Sequence, residues 1–394
     1  MSPSVFTGRD VFVEGLERTQ SLYREGHRVV VSFSAGKDSG VILELAVMAA
    51  RAEGRLPVEV VMRDEEIMFP GTFEYAERTA ARPEIDFHWL YANQPVLNIF
   101  DRAHPYFWVF DPALDPGEWV RRPPSYAVQI ADKNIEQIAN ATRFPPPEGK
   151  RLYVVLGLRV SESTHRRAGL YASGGYRTMH ATAAGYYKAR PIYDWTDPDV
   201  WKFIHEQGAD YNRAYDTMFR LGVKPRDMRI APPTMSSYSV DRLGMARKAW
   251  PRWFDRVCAR LEGVRSAAQF GKRAVTPIRR SGETWEQCFH RTCIDEVPAE
   301  WIAKRATFIM ERTLLRHARH ATTPFPQTVQ CMACDRGLHS WKKLALDMYS
   351  GDPWSTKVNK AFPANHVDPA LRRYLEPEFF REGAGTWGGG SPTW

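Results

Sequence analysis

Residues 29–47 read VVVSFSAGKDSGVILELAV, and this stretch decides how the rest of the 394-residue chain is read. A β-branched run enters Ser34-Ala35-Gly36-Lys37-Asp38-Ser39, and apolar residues at helical spacing (Val41, Ile42, Leu45, Ala46, Met48) follow at once. Such a pattern predicts a buried strand, a tight turn and a helix over 37–53. Backbone amides at that turn point beyond the strand, and the helix N-terminus adds partial positive charge. Small residues let a phosphate approach the backbone, while a lysine adds a mobile cation. A Walker A loop would need glycine at Val31 and Ser or Thr at Asp38, so that reading fails. A G-x-G-x-x-G dinucleotide turn is absent as well.

Working outward, residues 8–26 read as an amphipathic helix ending at Gly26. LPVEVVMRD is a second strand, PGTFEYAERTAARP a second helix, IDFHWLYA a third strand and RLYVVLGLR a later one. Strands alternating with helices imply an α/β fold, a parallel twisted sheet with helices on both faces. The stretch AHPYFWVFDPALDPGEWVRRPPSY, dense in aromatics and prolines, reads as an insertion or lid. Beyond about 225 the alternation stops. The expected organisation is an α/β nucleotide-binding domain over 1–225, a basic, mainly helical, cysteine-bearing domain over 226–380, and a flexible glycine-rich tail over 381–394.

The turn resembles the pyrophosphate loop (PP-loop) of the ATP pyrophosphatases, commonly Ser-Gly-Gly-Lys-Asp-Ser, with Ala35 in place of the first glycine. Three further stretches narrow the likeness. RDEEIMFPGTFEYAERTA puts acidic residues at the end of the second strand, GLRVSESTHRR offers arginines after a later one, and RPIYDWTDPDVWKFIHEQGADYNRAYD follows. In this order they resemble the phosphoadenosine phosphosulfate reductase family over roughly residues 28–225. The resemblance implies an adenine nucleotide site with Ser32, Ser34, Ala35, Gly36, Ser39, Asp64, Gly157 and Ser163 as binding residues. It implies Lys37, Asp38, Arg159 and Arg166 as the groups that act on phosphate or sulfate oxygens. Trp195, Thr196 and Trp201 read instead as core residues and a helix cap.

The sequence also departs from the reductases. They depend on a nucleophilic cysteine in a Glu-Cys-Gly-Leu-His setting near the C-terminus, of which CDRGLH at 334–339 is only a faint echo. Lys37-Asp38-Ser39 is retained, and a lysine there suits a β,γ-phosphate tail. The expected activity is therefore an ATP pyrophosphatase that cleaves between the α and β phosphates with Mg²⁺. It would adenylylate an acceptor in sulfur metabolism or in nucleic-acid modification of the phosphorothioation type, with a protein partner in such a system. The alternatives are a phosphoadenosine phosphosulfate reductase or sulfotransferase, and a non-catalytic nucleotide sensor that binds nucleic acid.

Composition bounds the rest. Hydrophobic residues make up 43% and charged residues 25%, and no apolar run is long enough to span a bilayer. The N-terminal residues lack the order of a signal peptide, so the expected location is cytoplasmic with no membrane contact. The formal net charge of +8 gathers in 241–280, where 11 basic residues face 3 acidic ones. That surplus suggests nucleic-acid contact through Arg242, Arg247, Lys248, Arg252, Arg256, Arg260, Lys272, Arg273, Arg279 and Arg280, with Trp250, Trp253 and Phe270 to stack on bases. Five cysteines argue against a disulfide framework. Cys288-x4-Cys293 with Cys331-x2-Cys334 has the spacing of a structural Zn²⁺ site, or of an iron–sulfur cluster.

Overall fold

The β-branched run forms strand β1 (Arg28–Ser32), whose three valines are buried. In the computed structural model, residues 8–130, 138–162, 164–172, 175–231, 237–332 and 339–352 are described. Strand β1 pairs in parallel with β2 (Val58–Asp64) on one side and β7 (Leu152–Val155) on the other, Val30 lying opposite both Glu59 and Val154. The sheet continues outward to β3 (Ile85–Tyr91) and β6 (Val128–Gln129) beyond β2, and to β8 (Tyr187–Ala189) beyond β7, with every pairing parallel. Strand order thus reverses direction at β1. The crevice between the C-terminal ends of β1 and β7 is the position where open α/β sheets bind ligands.

The period-2 alternation of the strands sorts the core into two layers. Val29, Val31, Val58, Val60, Tyr153 and Val155 pack with helices α1 (Val11–Arg24), α2 (Lys37–Ala52), α3 (Pro70–Ala80) and α5 (Asp197–Glu206). Val30, Val61, Leu90, Leu152 and Val154 face the other way, onto Ile130, Ala139, Phe144 and Tyr186. Burying each such side chain contributes about 1.5–3 kcal/mol. The helices start where their caps dictate. Asp10 accepts from the Phe12 amide at 2.7 Å ahead of α1, and Pro70 supplies the pre-set φ of the first turn of α3. Thr196 and Asp199 form a reciprocal capping box at α5.

The described residues of 1–94, 108–232 and 248–256 make one compact unit, and those of 95–107, 233–247 and 257–352 another. The chain passes between them at several points, where the sequence suggests a single boundary near 225. Two short segments account for the difference. Residues 95–107 bond to the second unit's backbone, Asn98 to the Glu262 carbonyl and Arg102 to those of Thr292 and Tyr349. Trp250 and Trp253, in turn, pack on Phe69 of the first. The second unit's core gathers Phe289, Cys293, Ile309, Phe325, Trp341 and Leu344 from α10 (Trp285–His290), α11 (Glu300–His320), α12 (Trp341–Met348) and the segments between. A π-helical turn, Arg291–Asp295, carries Cys293. The tail beyond 352 lies outside the described residues.

Candidate functional site

The turn after β1 is held open by its own hydroxyls. Ser39 Oγ lies 3.1 Å from the Gly36 amide, 3.3 Å from the Ser34 amide and 3.2 Å from Ser34 Oγ. It also donates to the Gly36 carbonyl at 2.9 Å. Ala35 adopts φ +56°, the left-handed conformation that glycine occupies without strain. The glycine that Ala35 replaces in the resembled motif has a physical reason to be there. Ser32 closes β1 just before the turn, and Lys37 and Asp38 open α2 just after it.

Across the crevice, the segment after β7 comes close. A Cβ at Gly157 would stand 2.7 Å from the Asp38 carbonyl carbon and 3.0 Å from the Ser39 amide nitrogen, so this position admits only glycine without displacement. Two residues on, Arg159 is almost fully buried and pairs with Asp38 at 2.6 Å and Asp197 at 2.7 Å. Lys37 Nζ lies 3.2 Å from each of the same two carboxylates. The sheet's switch point therefore carries two buried cations and two carboxylates in one cluster. Burial works against the charge on Asp197, but Lys37 and Arg159 overcome it and hold the carboxyl below its ordinary value.

Sequence reasoning missed Asp197, which opens α5 and reads as an ordinary first-turn acid. It also missed two residues after α5. Asn212, fully buried, donates to the Ala35 carbonyl at 3.1 Å, and its Oδ1 accepts from the Ala214 amide at 2.9 Å. Tyr215 Oη accepts from the Lys37 amide at 3.1 Å and caps α2. Both fall in YNRAYD, which the resemblance includes without giving either side chain a role.

Asp64 sits at the C-terminal end of β2, as expected, but its oxygens are engaged. It is fully buried, accepts from Trp89 Nε1 at 2.8 Å and from the Glu66 amide at 2.9 Å, and pairs with Arg121. Arg121 lies over the Phe73 ring, and burial lowers its pKa against the pull of Asp64. Glu66 accepts from the amides of Phe110 and Val120 at 2.7 and 2.9 Å. Arg256 donates to the carbonyls of Gly117, Trp119 and Val120. The aromatic insertion is thus pinned from both sides, and Asp64 serves as one of its anchors.

Ser163 lies outside the described residues, and Arg166 lies in α4 (Thr164–Ala172) with its side chain outside them. Among the described residues, then, the structure brings together Ser34, Gly36, Lys37, Asp38, Ser39, Gly157 and Arg159, and adds Asp197, Asn212 and Tyr215.

Residues 28–103 and 146–224 match the phosphoadenosine phosphosulfate reductase domain. The matched segments include the phosphate turn, Gly157, Arg159 and Asp197. The skipped residues, 104–145, contain most of the insertion that Glu66 and Arg256 pin. Among curated proteins, the chain is 24% identical over 358 residues to the uncharacterized protein YbdN of Escherichia coli K12, covering 83% of this chain and 84% of that one. It is 24% identical over 196 residues to an adenosine 5'-phosphosulfate reductase of Staphylococcus saprophyticus, covering 49% and 68%. Among solved structures, the Candida glabrata FMN adenylyltransferase with ATP aligns at TM-score 0.32 and 14% identity over 54% of this chain, which spans 62% of that protein. The Candida auris phosphoadenylyl-sulfate reductase aligns at 0.29 and 14%, covering 55% and 94%. The U34-tRNA thiolase NcsA of Methanococcus maripaludis, with its [4Fe-4S] cluster, aligns at 0.31 and 12%, covering 68% and 85%.

Outside the matched segments lie the cysteines and the basic stretch. Ligands of a tetrahedral zinc site lie within about 4 Å of one another. Among the described residues, Cys288, Cys293 and Cys331 form no such group, and Cys334 lies outside them. Each has other neighbours: Cys288 has Arg291 at 3.9 Å, Cys293 has the Ala345 carbonyl at 3.7 Å, and Cys331 has His317 at 3.6 Å. The one described group with ligating geometry is Glu59, Asp86 and His88, where Glu59 is already paired with Arg28.

Trp250 stacks on Phe69 and Trp253 packs against it at a tilt, so both rings are engaged within the protein. Arg256 is consumed by the insertion's carbonyls, Arg280 pairs with Glu296, and Arg279 donates to the Glu283 carbonyl. Arg247, Lys248, Arg252, Lys272 and Arg273 are exposed, as is Phe270.

Proposed function

We propose that the chain is a PP-loop enzyme that binds Mg²⁺–ATP at the β1/β7 crevice and transfers its adenylyl group to an acceptor, releasing pyrophosphate. One observation carries the reading: Lys37 and Arg159, both buried, meet at the switch point among the carboxylates of Asp38 and Asp197, with Ser161 beside Arg159. A cation pair of this kind suits a polyphosphate whose charge grows at the leaving group. Asp197, partly exposed at a helix start, is the carboxylate best placed to give way to phosphate oxygens, while Asp38 stays fixed in α2. Mg²⁺ would supply further neutralisation of the pyrophosphate.

Two of the thiols support this reading over sulfonucleotide reduction. Burial pushes the Cys293 thiol up to about 12 and raises that of Cys288 as well, so neither is a ready nucleophile at neutral pH. A polyanionic acceptor, nucleic acid included, is supported by the exposed Lys272 and Arg273 beside Phe270.

Calorimetric competition between Mg²⁺–ATP and phosphoadenosine phosphosulfate tests the nucleotide, and pyrophosphate release with added nucleic-acid or small-molecule fractions tests the reaction. ATP is expected to bind more tightly and pyrophosphate to appear with one of the fractions. Preference for the phosphosulfate, with sulfite released to a thiol, would overturn the proposal.

A further inference from the structure

One buried cation at the carboxyl end of the sheet has no part in the nucleotide reading. Arg63 is the penultimate residue of β2, and its side chain is 7% exposed. Strand alternation puts it on the same face as Val61 and on the opposite face from Asp64. Ser32 is the register partner of Val61, and the Phe33 amide donates to the Val61 carbonyl at 2.9 Å. Two residues past Val61, β1 has given way to the phosphate turn while β2 still carries Arg63. Neighbouring strands lie about 4.8 Å apart, a gap that an arginine side chain crosses.

The guanidinium is only half engaged. It pairs through Nη2 with Glu65, itself buried, whereas Nη1 is buried with no hydrogen-bond partner. A buried N–H without an acceptor is unfavourable, so such a group calls for an explanation. Burial draws the pKa of Arg63 down to about 9 against the pull of Asp64, which leaves the side chain cationic at neutral pH. Packing does not account for it, because apolar residues of similar volume commonly stabilise a fold at least as well as a buried ion pair. An oxyanion does: its oxygens match the planar guanidinium fork, of which Glu65 leaves Nη1 unused.

We propose that Arg63 binds an oxyanion of the substrate (a phosphate, sulfate or carboxylate) on the face of the sheet that carries Ser32, apart from the pyrophosphate at the start of α2. The assignment of that anion rests on the adenylyl-transfer reading, in which the nucleotide's polyphosphate is already held by Lys37 and Arg159. The anion at Arg63 then belongs to the acceptor, which narrows the acceptor to an anionic molecule. A phosphate on the nucleotide's ribose has the same chemistry and is the other source.

The test titrates sulfate into the full-length chain by calorimetry, with the crevice saturated by Mg²⁺–ATP. Wild type is expected to bind one sulfate. Arg63→Lys keeps the charge but loses the fork, so its affinity should fall about tenfold. Arg63→Met combined with Glu65→Leu replaces the pair by apolar side chains. It should lose the sulfate while melting no lower than wild type, an outcome that a merely structural ion pair would not give. If the double variant fails to fold, Arg63→Lys decides alone. Sulfate bound alongside ATP supports an anionic acceptor. Sulfate displaced by adenosine 3′,5′-bisphosphate, but not by AMP, supports Arg63 as the anion site and assigns the anion to the ribose. Failure of ATP to bind would sink the nucleotide reading alone, and the same titrations on Lys37→Ala would still isolate Arg63. No sulfate binding by wild type would overturn the proposal, as would wild-type affinity in Arg63→Lys or in the folded double variant.

Discussion

Replacing Gly157 by alanine tests whether the two walls of the crevice act as one unit. The added Cβ would meet the Asp38 carbonyl carbon at 2.7 Å, its oxygen at 2.8 Å and the Ser39 amide nitrogen at 3.0 Å. Each of these atoms would stand roughly half an ångström inside ordinary contact. They are backbone atoms in the first turn of α2, so no side chain can rotate away, and either the helix start or the β7 segment must shift. Overpacking of this kind costs about 1–3 kcal/mol. The reduced freedom of the unfolded chain returns about 0.4–1 kcal/mol, leaving a net loss of about 1–2 kcal/mol in urea unfolding. The same shift misaligns the amides that face a phosphate. Losing one charge-assisted hydrogen bond, about 1.5–3 kcal/mol, weakens ATP binding roughly tenfold to a hundredfold. Calorimetry with Mg²⁺–ATP reads this directly. Gly169 lies in α4 with nothing within 4 Å of its would-be Cβ, so Gly169→Ala is the control and should be neutral or slightly stabilising. If Gly157→Ala matches wild type in both unfolding and ATP affinity, the close approach does not constrain the loop and the reasoning fails.

Lys37→Ala should lose ATP binding while keeping its circular dichroism, because Arg159 still neutralises Asp38 and Asp197; unchanged affinity would remove Lys37 from the site. Asp197→Asn frees both cations of one competing carboxylate, so inorganic pyrophosphate should bind severalfold more tightly by calorimetry. Arg256→Ala leaves three insertion carbonyls without their donor, and limited proteolysis should then cut near 117–120 faster than in wild type. Glu283 receives a two-point hydrogen bond from Arg291, which with the Arg280 amide holds its carboxyl at about 2. The depressed value means its contribution is present above the ordinary carboxylate pKa and is lost as pH falls toward 2. Thermal unfolding followed between pH 5 and pH 2 should therefore lose part of its acid dependence in Glu283→Gln.

The phosphate turn is legible in sequence because its chemistry is local: strand, small residues, lysine and helix all lie within 29–47. Four of the sheet's six strands are legible for the same reason, while β6 (Val128–Gln129) and β8 (Tyr187–Ala189) are too short to carry a run that sequence can show. Asp197 is not, because an acid after Thr196 satisfies a helix cap and gives no sign that two cations from other segments converge on it. Trp250 and Trp253 mislead in the opposite direction. Aromatics among arginines suggest base stacking, whereas here they find Phe69, some 180 residues earlier in the sequence. The cysteine spacing suggests a shared metal but does not say where each pair lies, and the π-helical turn sets Cys293 among the apolar side chains of the second core.

The two bonds from the YNRAYD segment to the phosphate turn also have a consequence in time. Asn212 reaches Ala35 across 177 residues and Tyr215 reaches Lys37 across 178. A ribosome adds about 5–20 residues per second, so Lys37 is synthesised roughly ten to forty seconds before the side chain that caps its amide. By the end of that interval the nascent chain contains β1, α2 and the insertion. The turn cannot yet take its final form, because the carbonyl of Ala35 and the amide of Lys37 still lack their partners. Until residue 215 has left the exit tunnel the turn lacks two of the bonds that hold it, each worth about 0.5–1.5 kcal/mol, and binds phosphate more weakly. A truncated chain that stops short of it would carry an intact Ser34–Ser39 sequence with no competent site.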